Sequence, residues 1–133
     1  FIDPARRALD GRKVVALSDC EPDVTALESQ LLEKADKVMV KCSPMLDITA
    51  ATRQLSSIET VHIIAVNNEC KELLFILGKD NGENTQIKCV NIQKGNCNSF
   101  AFTLDEEANS TVTYCNSVGK YLYEPNAAIQ PST

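Results

Sequence analysis

Three short segments carry the residue types that could do chemistry. The first is Phe1-Ile2-Asp3-Pro4-Ala5-Arg6-Arg7. Phe1-Ile2 reads as the end of a strand, and an acid just past a strand's carboxyl end sits where open α/β sheets bind ligands. The Asp3 carboxylate can accept from a substrate amino or hydroxyl group, while Pro4 stiffens the loop. The second is Lys41-Cys42-Ser43-Pro44-Met45-Leu46-Asp47, again past a strand end and expected on the same rim. The third is Asn67-Asn68-Glu69-Cys70-Lys71-Glu72, which reads as a polar hairpin turn. Asp-Pro and Ser-Pro pairs are also ordinary turn chemistry, so no segment assigns a function alone.

The sulfur and imidazole groups argue for less. Cys20, Cys42, Cys70, Cys89, Cys97 and Cys115 are scattered without a close pair, and His62 sits inside an apolar run. Zinc sites use closely spaced ligands, so no metal site is expected. The six cysteines read as small apolar side chains, as in a reducing compartment. Asn109-Ser110-Thr111 matches a glycosylation acceptor, a short and common pattern.

The elements that must position these segments alternate in type. Asp23 can cap a helix on which Val24, Leu27, Leu31 and Ala35 share a face, with Thr25 and Glu28 offering an alternative capping box. Lys37–Lys41 is a compact apolar strand. Asp47 can cap a short helix, strand Thr60–Val66 follows, and a tight turn leads into strand Glu72–Leu77. Alternating strands and helices predict a parallel sheet covered on both faces. The last strand, joined by a few residues, must run antiparallel, near the edge. Beyond Gly78 the chain becomes polar. Gln86–Ile92, Phe100–Leu104 and Thr111–Tyr114 read as short strands, and Asp105-Glu106-Glu107 reads as a solvated acidic turn.

Composition narrows the function classes. The 133 residues carry 13 basic and 18 acidic side chains, a net charge of -5, which argues against a polyanion binder over the whole surface. Residues 1–13 are the exception, with four basic side chains against two acidic ones. No apolar run approaches the roughly 20 residues a bilayer-spanning helix needs. Polar sequence follows Arg6 and Arg7, so the opening does not read as a signal peptide.

Taken in order, five motifs resemble one family. They are Phe1–Arg7, Leu17-Ser18-Asp19-Cys20-Glu21-Pro22-Asp23, Val40–Ile48, Ala65–Leu74 and Tyr121-Leu122-Tyr123-Glu124-Pro125-Asn126. Together they are similar to the THUMP-like-domain class I methyltransferases of Bacteroides-type bacteria. The resemblance implies an α/β fold: the C-terminal half of a Rossmann-like sheet with a reversed edge hairpin over residues 1–79. A small ferredoxin-like segment over 80–118 and the opening of a THUMP-like domain over 119–133 would follow. It also implies a cytoplasmic, S-adenosylmethionine-dependent enzyme acting on tRNA or rRNA.

Within that resemblance Asp3 and Pro4 stand where amino-directed nucleic-acid methyltransferases carry Asp/Asn-Pro-Pro-aromatic. Ala5 and Arg6 replace the second proline and the ring, which removes a base-stacking surface. Asp3 and Pro4 are thus the expected catalytic residues, and Arg6, Arg7, Lys41 and Ser43 the expected substrate contacts. The Gly-rich cofactor loop of such enzymes has no counterpart here and is expected upstream of Phe1. The chain therefore reads as an internal fragment that binds S-adenosylmethionine poorly alone and self-associates through an exposed sheet edge. Two alternatives are a noncatalytic RNA-binding or assembly module and a secreted, disulfide-bonded binding domain.

Overall fold

The structure is a computed structural model that describes residues 1–6, 16–79, 84–123 and 125–129. Its two longer helices begin where the acidic caps predict. Asp23 accepts from the backbone N–H of Thr25 at 2.9 Å and of Ala26 at 3.4 Å, starting α1 (Val24–Lys34). The Thr25 hydroxyl donates to the same carboxylate oxygen at 2.6 Å. Glu28 does not close a capping box. It accepts from Ser57 N–H at 2.8 Å and ties the helix to a distant loop. Asp47 accepts from Ala50 N–H at 2.9 Å and caps α2 (Ile48–Gln54).

The strands are β1 (Ala5–Arg6), β2 (Cys20–Glu21), β3 (Lys37–Cys42), β4 (Ile58–Val66), β5 (Glu69–Gly78), β6 (Gln86–Gln93) and β7 (Asn96–Thr103). β1 and β2 form a two-residue antiparallel ladder, and the other five make one sheet in the order β3-β5-β4-β6-β7. β5 runs antiparallel to both β3 and β4, β6 runs parallel to β4, and β7 antiparallel to β6. Both hairpins use two-residue turns with positive φ. Asn67 and Asn68 lie at 51° and 60°, Lys94 and Gly95 at 47° and 80°. Such left-handed pairs match the right-handed twist of the flanking strands.

The mixed α/β architecture is as expected, but several details differ. The reversed strand is not at an edge: β5 lies between β3 and β4. Its run Leu73-Leu74-Phe75-Ile76-Leu77 suits a strand paired on both sides. Phe75 is fully buried, with Val40 opposite on one neighbour and Val61 on the other. Nor are both faces covered among the described residues. Val38, Val40, Val61, Ile63, Leu73, Phe75, Leu77, Ile87 and Cys89 share one face and join one core cluster with Leu17, Val24, Ala51 and Leu55. The opposite face carries Met39, His62, Ile64, Leu74, Ile76, Lys88 and Val90, all partly or largely exposed.

The sheet also runs across the boundary expected near residue 79, because the segment read as ferredoxin-like supplies β6 and β7 to it. The acidic turn is a short helix, α3 (Leu104–Ala108), closed by a capping box between Thr103 and Glu106. Thr111–Tyr114 forms no strand, and its side chains are exposed. Leu17–Asp19 is a single 3-10 turn, while Val14 and Val15 lie outside the described residues. Residues 119–123 have no helix or strand, whereas Ala128 is buried against the body. Among the described residues no helix is long and apolar enough to cross a membrane.

Candidate functional site

The site is built where two parallel strand ends meet. Ile2 N–H donates to Met39 C=O at 2.8 Å, and Lys41 N–H donates to Ile2 C=O at 2.9 Å, a parallel bridge centred on Ile2 and Val40. The chain therefore leaves Ile2 and β3 at the same rim, and Asp3 emerges beside Lys41. Their side chains meet: Lys41 Nζ lies 2.7 Å from Asp3 Oδ2. A cavity of about 280 Å³ opens there, lined by Asp3, Pro4, Leu17, Cys20, Lys41, Cys42, Ser43, Glu72 and their neighbours.

Four of the six expected site residues converge on this cavity: Asp3, Pro4, Lys41 and Ser43. Arg6 is fixed by backbone pairing opposite Cys20. Arg7 lies outside the described residues. Three of the four are already engaged. Lys41, expected to face substrate, is held by Asp3. Ser43 Oγ accepts from Met45 N–H at 3.3 Å, and Ser43 C=O accepts from Leu46 N–H at 3.0 Å, which shapes the Ser-Pro turn.

The electrostatics follow from these contacts. The hydrogen bond to Asp3 raises the Lys41 pKa above its ordinary value; desolvation opposes the rise, and the charges of Asp3 and Glu72 add to it. Burial pushes the Cys42 thiol up to about 12, with smaller contributions from Cys20 and Asp3. A thiol so disposed is a poor nucleophile. No disulfide joins the cysteines among the described residues, nor is there a cluster of three or more His, Cys, Asp or Glu side chains able to hold a metal.

Sequence reasoning missed Cys20 and Glu72 at the cavity. Cys20 arrives through the β1–β2 ladder, which is too short for periodicity to reveal. Glu72 belongs to the segment read as a hairpin turn, and it reaches the rim only because β5 inserts beside β3.

No family profile matches the chain, and no curated protein does. Its structure is similar to the crystal structure of a protein from Porphyromonas gingivalis W83 named as a candidate methyltransferase. The TM-score is 0.82 at 34% identity, covering 96% of this chain and 31% of that one. The chain thus spans about a third of that protein's length, and within that span it shares its mixed α/β fold.

Proposed function

We propose that this chain is a segment of an S-adenosylmethionine-dependent methyltransferase acting on RNA, and that the rim cavity receives the acceptor group. One observation carries the reading. In a fold similar to part of a protein named as a methyltransferase, Asp3-Pro4 leaves a strand end with the Asp3 carboxylate at the mouth of a cavity. Ligands of open α/β sheets bind beyond the carboxyl ends of the strands. In this reading Asp3 accepts an N–H from the acceptor and Pro4 fixes the loop. Arg6 and Arg7 supply phosphate contacts suited to guanidinium geometry, and Ser43 lies within the cavity lining.

The cavity does not fit the methyl donor itself. Among the described residues its lining holds no glycine, and its 280 Å³ falls just below the roughly 300–1,000 Å³ of small-molecule sites. The donor is accordingly assigned to a site other than this cavity. The finer reading follows from the motifs: a cytoplasmic member of the THUMP-like-domain group, with residues 119–133 opening that domain. The outer edge of β7, which pairs with no strand among the described residues, is the surface through which copies associate.

The test uses the full-length protein, a methyl-labelled donor and bulk RNA from a strain lacking the gene. Asp3→Ala is expected to abolish label transfer. Wild-type transfer by that variant would overturn the reading. Calorimetry of the 133-residue chain with S-adenosylmethionine is expected to show no micromolar binding.

A further inference from the structure

Lys41 stands between two carboxylates on neighbouring strands. On one side, Ile2 bridges to Val40 and delivers Asp3, whose Oδ2 lies 2.7 Å from Lys41 Nζ. On the other side, Lys41 lies opposite Leu74 of β5, so Glu72, two residues earlier, is its diagonal neighbour on the same face. Diagonal neighbours sit about 7–8 Å apart, within reach of long side chains. Lys41, Asp3 and Glu72 all line the cavity, and the Glu72 charge acts on Lys41. The adjacent cation, Lys71, is drawn off to Glu69 at 2.6 Å.

This arrangement makes Asp3 a contested acceptor. Any N–H donor that enters the cavity to use Asp3 meets Lys41 already there. The pair is partly solvated, with the lysine side chain 32% and the aspartate 53% exposed, and such pairs are weak enough to exchange. A lysine is a point charge on a flexible stem, so it can turn to another carboxylate without moving backbone.

We propose that Lys41 is a positioning residue that occupies Asp3 in the absence of acceptor and passes to Glu72 when the acceptor's N–H groups take Asp3. The exchange makes and breaks no covalent bond and moves no proton. Glu72 thereby sets how readily Asp3 is released, acting through Lys41. The proposal rests on the reading of Asp3 as the group that orients the acceptor.

The experiment is a double-mutant cycle in the full-length protein, with labelled methyl donor and bulk RNA from a strain lacking the gene. Glu72→Gln removes the alternative home for Lys41, so KM for RNA rises about two- to fivefold, the range expected for a partly exposed ion pair. Lys41→Met removes the competitor, so KM falls, and in that background Glu72→Gln has no effect on KM. Glu72→Asp, which keeps the charge, stays near the wild-type KM. Equal effects of Glu72→Gln in both backgrounds would overturn the proposal, as would a rise in KM with Lys41→Met. Wild-type transfer by Asp3→Ala defeats the underlying reading as well. Abolished transfer by Asp3→Ala with an additive cycle defeats the Lys41 exchange alone.

Discussion

Asn91 on β6 and Asn68 in the β4–β5 turn hold each other through two hydrogen bonds. Asn68 N–H donates to Asn91 Oδ1 at 3.2 Å, and Asn91 Nδ2 donates to Asn68 Oδ1 at 3.3 Å. The same Asn68 oxygen accepts from Ala127 N–H at 3.0 Å, so one turn side chain ties residues 59 positions apart. Asn91 is 3% exposed, and a buried amide of this kind must be satisfied. Asn91→Ala is expected to destabilise the chain by about 1–3 kcal/mol in urea unfolding. It should also speed hydrogen exchange at Ala127. An unchanged Ala127 exchange rate would show that the tie does not hold the segment.

The placement of β5 sets a contrast between two phenylalanines. Phe75 is fully buried, whereas Phe100 on β7 is 54% exposed. Phe75→Ala is expected to cost about 3–5 kcal/mol, enough to unfold a marginal domain. Phe100→Ala should fall within about 1 kcal/mol of wild type. Chemical denaturation of the two variants side by side checks this, and comparable losses would contradict the strand order.

His62 makes a clean pH probe because the chain has one histidine. Burial, and secondarily the charge of Lys88 opposite it on β6, lowers its pKa below the usual 6.5. A lowered pKa means the folded state binds this proton less readily than the unfolded one. The stability tied to His62 is therefore present above pH 6.5 and lost as pH falls through the depressed folded value. NMR titration of the ring should give a midpoint below 6.5, and Lys88→Gln should move it upward.

The thiols should separate by rate. Burial is the main cause that pushes Cys42 up to about 12 and Cys89 to about 11, while Cys97 and Cys115 are exposed. Since the thiolate is the reactive form, iodoacetamide at pH 8 should label Cys97 and Cys115 first and leave Cys42 and Cys89 for last. Peptide mapping against time reads the order. Denaturation should release all six thiols to titration, and a shortfall would point to disulfides.

At the sheet edge, β7 is exposed from Asn96 through Ala101, and nothing in its sequence blunts pairing with another strand. Light scattering of the 133-residue chain is expected to show mass rising with concentration, and Ala101→Lys should suppress the rise. A monodisperse monomer at high concentration would remove β7 as an association surface.

Local chemistry was legible in the sequence. Asp23 and Asp47 announced both major helices, and Asn67-Asn68 lies in a segment read as a turn. Asp3 and Ser43 were expected on one rim because each follows an apolar strand with a proline close behind. Lateral order was not legible. A tight turn says that β5 is antiparallel to β4 but not on which side it lies, and that choice decides whether Glu72 reaches the cavity. The apolar run in β5 was the available clue. Thr103-Leu104-Asp105-Glu106 carried a capping-box signature that its acidic character disguised as a turn. Thr111–Tyr114 had strand-like alternation but found no partner among the described residues, and pairing rather than propensity makes a strand.

The order in which the strands are synthesised differs from their order in the sheet. Within the five-stranded sheet β3 and β4 are made before the other strands, yet neither pairs with the other, since each pairs with a strand that has not yet been made. Only when β5 leaves the ribosome can it wedge between them, complete the core around Phe75 and bring Glu72 beside Lys41. Until then Lys41 has a carboxylate on one flank alone. A nascent chain stalled before residue 69 would hold Asp3 and Lys41 without their counterweight, so the rim matures with the last of its three neighbouring strands to arrive.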